Sequence, residues 1–195
     1  MSALRKPWFS PQEYLALERA AETRSEYVDG EIFAMAGGTL RHALIAANSV
    51  REIGNGLKDR PCLAVGSDMK VWIESANTFA YPDVSGLCGP VEPYDGLKDA
   101  YTNPSFIIEV LSDSTELYDR TGKFHRYQTL SSVREYILIA QASMAVDVFR
   151  RQGAEWLYHS LHQPGDLLKI DSVECAIPLA EVYRNVDFEG EAVAG

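Results

Sequence analysis

A chain of 195 residues that is 46% hydrophobic is long enough for one compact domain with a sizeable core and too short for two of ordinary size. No apolar run approaches the roughly 20 residues needed to span a bilayer, and the first eight residues lack a signal-peptide core, so a cytosolic protein with no membrane partner is expected. The net charge of −10 opposes broad adhesion to nucleic acid, whose binders usually present basic surface. Arg120, Lys123, His125 and Arg126 nevertheless make one segment locally basic, as do Arg150 and Arg151. Cys62, Cys88 and Cys175 are odd in number and lack Cys-x-x-Cys spacing, which points to neither a disulfide framework nor a zinc site.

In chain order, Ser10-Pro11-Gln12-Glu13 combines a capping box with proline at the first helical position and predicts a helix over residues 11–21. Residues 25–28 and 31–35 flank Asp29-Gly30, a type I′ turn signal, and predict a hairpin. Gly37-Gly38 ends it, and residues 39–57 read as a long helix with Ala43, Ala46, Ala47, Val50 and Ile53 at close-packing spacing. Strands are expected at 62–65, 69–73, 84–87, 105–111, 135–139, 145–150 and 156–160. The glycines and prolines between Gly86 and Pro104 suggest a mobile flap. Ser112-Asp113-Ser114-Thr115 supplies caps for a helix over 116–130, whose Leu117, Phe124, Tyr127 and Ser131 follow a helical period. Residues 167–170 and a helical turn near 179–182 precede an acidic tail. The expected class is α/β (α+β mixed): a central mixed β-sheet flanked by helices, in one domain over 1–187 with a tail at 188–195.

Chemistry enters at Phe106-Ile107-Ile108-Glu109-Val110-Leu111, where one carboxylate interrupts a run that otherwise reads as a fully buried strand. Burying an ionised carboxylate costs several kcal/mol unless it is paired or bound to metal, so Glu109 requires a partner. A cation from a neighbouring helix would suffice. Tyr81-Pro82-Asp83 opens a second strand through a proline, and Asp83 alone would read as a turn acceptor. If the two strands pair, however, both carboxylates converge into an oxygen-rich nest suited to Mg or Mn ions. Lys123, four residues after Asp119, is on spacing alone an exposed partner of that acid; its functional alternative is a cation aimed at Glu109. Glu31 beside the Asp-Gly turn and His42 at a helix start read as a solvated acid and a polar N-terminal residue when taken alone.

Tyr81-Pro82-Asp83, Ile108-Glu109-Val110-Leu111-Ser112 with Ser114-Thr115, Asp119, Lys123, Tyr127 and Arg134-Glu135-Tyr136 resemble the Uma-two family of restriction-endonuclease-like proteins, within the PD-(D/E)xK nuclease superfamily. The similarity extends to Glu26-Tyr27-Val28-Asp29-Gly30-Glu31 and His42 upstream and to residues 165–183 downstream. It implies a restriction-endonuclease-like core and a Mg2+- or Mn2+-dependent endonuclease that hydrolyses phosphodiester bonds in nucleic acid, DNA by preference. Asp83 and Glu109 would hold the metal. The superfamily lysine normally stands two residues after the strand acid, where this chain has Leu111, so the resemblance transfers that role to Lys123 on the following helix. It also raises Glu31 as an added catalytic acid, with His42 and Tyr127 as accessory residues. A nuclease-fold scaffold without catalysis and a hydrolase of a small phosphorylated substrate are the rivals, the latter better suited to an acidic surface. The strands at 133–139 and 145–149 are expected to leave a sheet edge open to homodimer pairing. No residue pattern specifies a preferred substrate sequence.

Overall fold

The apolar runs of this chain become two mixed sheets and a small hairpin, seen in a computed structural model that describes residues 7–35 and 37–189. The N-terminal helix α1 (Pro11–Ala20) starts with the anticipated capping box between Ser10 and Glu13. Asp29 and Gly30 take φ of 46° and 90°, the backbone a type I′ turn demands, and join β1 (Ser25–Val28) to β2 (Glu31–Ala34). These strands extend into a five-stranded sheet with β5 (Thr78–Ala80), β4 (Lys70–Ile73) and β7 (Ala100–Tyr101), in the order β2-β1-β5-β4-β7. Tyr14, Tyr27, Trp72 and Phe79 fill the space beneath α1.

The larger sheet runs β11-β10-β9-β8-β6-β3. Its members are β3 (Cys62–Gly66), β6 (Val84–Cys88), β8 (Phe106–Leu111), β9 (Glu135–Ala140), β10 (Val146–Gln152) and β11 (Glu155–Leu161). Only β8 and β9 pair in parallel within it. The strand carrying Glu109 is central, as anticipated, and all six of its residues are buried. One face of β8, with Ile108 and Val110, packs on Ile45 and Ile53 of α2 (Leu40–Gly56). The other, with Ile107 and Leu111, packs on Phe124 and Tyr127. Gly86 lies opposite Phe106, where a Cβ would stand 1.9 Å from the ring, so only glycine lets β6 meet β8 there. The hairpin of β12 (Leu167–Ile170) and β13 (Cys175–Pro178) and the short α5 (Leu179–Val182) close the core on the α2 side. No described helix is long and apolar enough to cross a membrane.

Several expectations change. The helix foreseen over 116–130 is three pieces: α3 (Glu116–Tyr118), a π turn (Asp119–Lys123) and α4 (Phe124–Gln128). Residues 133–139 and 145–149 do not lie at an edge, because β9 and β10 are interior and the edges are β11 and β3. Cys62 and Cys88 are not unpaired: the β3–β6 register puts them opposite each other with Cα atoms 4.1 Å apart, joined as a disulfide. The 86–104 segment is anchored where a flap was expected. Glu92 and Pro90 carbonyls accept from Thr102 and Asn103, and Tyr94 packs against Trp72 and Phe79. Of the expected tail at 188–195, Phe188 packs near Tyr183 with ring centres 5.5 Å apart, and residues 190–195 lie outside the described residues.

Candidate active site

Glu109 points from β8 toward the helical segment, on the same face as Ile107 and Leu111, and is 3% exposed. Lys123, 6% exposed, comes from the π turn to meet it, with Nζ 3.0 Å from Glu109 Oε1. The wide turn carries both Asp119 and Lys123 inward while Phe124 and Tyr127 still reach the core. Such single π turns recur at functional sites, because the extra residue re-aims side chains without breaking the helix. Nζ is also 3.1 Å from Glu26 Oε1 and 3.9 Å from Asp119 Oδ1. One ammonium therefore serves three carboxylates.

Asp83 stands just before β6, one step beyond the Val84–Ile108 pair and so beside Glu109. Its Oδ2 accepts the Val110 N–H at 2.7 Å and lies 3.2 Å from His42 Nε2, at the start of α2. Thr39 caps that helix by accepting the His42 N–H, which fixes the imidazole's approach. Glu26 is held from the opposite side, its Oε1 accepting the Tyr81 N–H at 2.9 Å. Tyr81 is itself fixed by a buried cluster in which Lys70 Nζ contacts Tyr81 Oη at 3.0 Å and Asp99 Oδ2 at 2.6 Å, and Glu18 accepts from the Tyr81 hydroxyl. The Tyr81-Pro82-Asp83 stretch thus braces two acids of the site at once.

The electrostatics follow from an excess of acid in a dry place. Burial, offset in part by Lys123 and reinforced by Asp119, Asp83 and Glu26, holds the Glu109 carboxyl well above the usual range. Burial acts against the Lys123 ammonium, but Glu109, Glu26 and Asp119 outweigh it and keep the group protonated. Asp119 is raised, chiefly by burial. The hydrogen bond to Asp83 raises His42. Glu109 Oε1 remains buried without an aligned hydrogen-bond donor, since the lysine contact has the distance but not the direction of one.

The structure thus brings together Asp83, Glu109, Lys123 and His42 of the anticipated residues. Tyr127 is core: it is fully buried, packs on Tyr136 with ring centres 5.7 Å apart, and leaves its hydroxyl without a hydrogen-bond partner. Glu31 stands opposite Val28 beside the turn, whereas the acid β1 delivers to Lys123 is Glu26, two residues further from the turn on the same face. Glu26 was not singled out from the sequence. Its one local signal is the alternation that commits Tyr27 to the core and Glu26 to the other face.

Known proteins resemble this chain over most of its length. The profile of the Uma2 family, described as "Putative restriction endonuclease", matches residues 11–180. The chain is 33% identical over 184 residues to "Uncharacterized protein slr1290" of Synechocystis sp., covering 93% of this chain and 95% of the relative. It is 35% identical over 150 residues to "Uncharacterized protein sll1609" of the same organism, covering 76% and 85% respectively. Among solved structures it is similar to "a putative nuclease belonging to DUF820" from Anabaena variabilis, with a TM-score of 0.73 at 20% identity over 90% of this chain and 97% of that one. The fold is accordingly that of restriction-endonuclease-like nucleases.

Proposed function

The chain belongs to the Uma-two family of restriction-endonuclease-like proteins, and from that premise we propose that it is a divalent-metal-dependent endonuclease, with DNA as substrate and Asp83, Glu109 and Lys123 as its working residues. The observation that carries this reading is the convergence of a central-strand acid, a strand-opening acid and a buried lysine on one point. The donor set suits Mg2+ or Mn2+. Two carboxylates are adjacent, Glu109 Oε1 lacks an aligned donor, and Mg2+ is commonly held by one or two carboxylates with its other positions left to water and phosphate. No group of three or more His, Cys, Asp or Glu among the described residues is arranged to hold a metal, so an ion here would rest on these two carboxylates and its own waters.

Asp83 and Glu109 would hold the ion, which when bound supplies Lewis acidity to the phosphoryl oxygens and lowers the pKa of water. The protein's own residues do the remaining work. Val110 N–H and His42 both contact Asp83 Oδ2 and fix the carboxylate, which would leave Oδ1 for the ion. Lys123, protonated and held by Glu26 and Asp119, presents positive charge where negative charge grows in the transition state. Glu26 keeps the ammonium from relaxing wholly onto Glu109, a positioning role reached through Tyr81. A homodimer, joined along β11 where Leu157 and Tyr158 are exposed, would set two such sites at a fixed separation for cleaving both strands.

Thermal denaturation with millimolar Mn2+ tests the metal site apart from catalysis. The midpoint of the wild-type protein is expected to rise by mass action and that of Asp83→Asn to rise less; equal shifts, or none, would remove the shared site.

A further inference from the structure

The helical segment that delivers Lys123 inward also has an outer polar side. Gly122, His125 and Arg126 form one wall of an open groove of about 460 Å3, and Asp29, Ser75 and Asn77 form the other. Gly122 directly precedes Lys123, so groove and acidic cluster share the same turn of backbone. Arg126 lies over the Tyr118 ring, 5.5 Å from its centre, with Nη1 3.5 Å from the hydroxyl. The missing side chain of Gly122 leaves room for this contact, since a Cβ there would stand 3.0 Å from Arg126 Nη1 and 3.1 Å from two Tyr118 ring carbons and would push them back slightly.

Arg126 differs from the other cations of this region. Lys123 lies near three carboxylates and Arg120 is paired with Glu116 and Asp147, whereas Arg126 forms no ion pair among the described residues. Its one side-chain hydrogen bond among the described residues is the long contact to Tyr118. A planar guanidinium with donors to spare has the geometry to take a tetrahedral oxyanion, whereas on the facing wall the Ser75 hydroxyl donates to Thr129 and the Asn77 amide to Tyr27. Asp29 works against an anion from the far wall, where the Asn77 amide contacts its Oδ1 at 3.4 Å.

We propose that this groove is a phosphate subsite of the enzyme, seating a backbone phosphate of the bound strand, with Arg126 as its principal donor. The assignment rests on the nuclease reading above. A local seat of this kind also reconciles strand binding with a net charge of −10, because attraction is confined to one groove.

The test is binding of a fluorescent oligothymidylate in metal-free buffer, measured by anisotropy across a salt series, with no cleavage required. Arg126→Ala is expected to weaken binding roughly ten-fold or more, as loss of a charge-assisted hydrogen bond does, and to flatten the salt dependence by about the 0.7 expected for one single-strand phosphate. Arg126→Lys should recover part of the affinity. Asp29→Asn should tighten binding, and asparagine suits the φ of 46° at that position. Wild-type affinity and salt slope in Arg126→Ala, no tightening in Asp29→Asn, or no measurable binding by the wild-type protein would each overturn the subsite. Should the nuclease reading alone fail, the wild-type protein would not cleave DNA with Mn2+, yet binding would still depend on Arg126 and Asp29.

Discussion

Replacing Lys123 with methionine keeps a long buried side chain and removes its charge. The ammonium lies 3.0 Å from Glu109, 3.1 Å from Glu26 and 3.9 Å from Asp119, so the substitution strands acids in a site where the Glu109 side chain is 4% exposed. Deleting one partner of a buried ion pair costs about 3–5 kcal/mol. In a chain of this size each kcal/mol moves the melting midpoint by roughly 2–4 °C, so Lys123→Met should melt roughly 6–20 °C below the parent at neutral pH. The sign of the pH response is also set. Glu109 already holds its proton more tightly in the folded state, and without the lysine it holds it more tightly still, so the deficit should shrink as pH falls through the folded-state pKa. Adding Glu109→Gln should restore part of the loss at neutral pH, because the stranded charge is then gone. Calorimetry or circular dichroism in chelator-treated buffer reads all three. A Lys123→Met midpoint within about 2 °C of the parent would refute the view that this ammonium compensates the buried acids.

Gly86→Ala places a Cβ 1.9 Å from the Phe106 ring and should cost at least about 1–3 kcal/mol through overpacking, read as a lower denaturation midpoint; an unchanged midpoint would show that β6 and β8 can separate freely. Glu135, 1% exposed, accepts from Ser172 N–H with one oxygen and leaves the other without a hydrogen bond, and burial raises its pKa. Its ionised form therefore costs stability at neutral pH, and that cost is relieved as pH falls through the folded-state value toward the unfolded one. Glu135→Gln should match or exceed the parent midpoint at neutral pH and respond less to acidification; a lower midpoint with an unchanged acid response would contradict this. A dimer paired along β11 should appear in light scattering as twice the chain mass and be lost in Leu157→Lys, whereas monomer mass at high protein concentration would exclude it.

Local patterns conveyed much of this fold. The capping box, the Asp-Gly turn, the long α2 helix and the buried strand around Glu109 each depend on a few neighbouring residues, and each formed as the pattern required. The strands β5 and β7, three and two residues long, are too short to show a period. Neither the π turn nor the facing of Cys62 and Cys88 is written in local spacing, since the first answers to packing on β8 and the second to register across two strands. The site divides in the same way. A charge in an apolar strand is conspicuous, so Glu109 stood out. Choosing between Glu26 and Glu31, which share a face of one hairpin, requires knowing which end of that hairpin meets the helical segment. Spacing alone favours an exposed Lys123 paired with Asp119; that pair forms at 3.9 Å, but both groups are buried and the shorter contacts of the lysine run to Glu109 and Glu26.

The most direct measurement is nicking of supercoiled plasmid DNA by the wild-type protein, Asp83→Asn and Glu109→Gln in Mg2+ or Mn2+, at a temperature where melting curves show all three folded. The account predicts metal-dependent nicking that a chelator abolishes and that falls at least about a hundred-fold in each variant, as loss of a preorganised charge at a reacting phosphate requires. Nicking by either variant at the wild-type rate, or none by the wild-type protein in either metal, would contradict it.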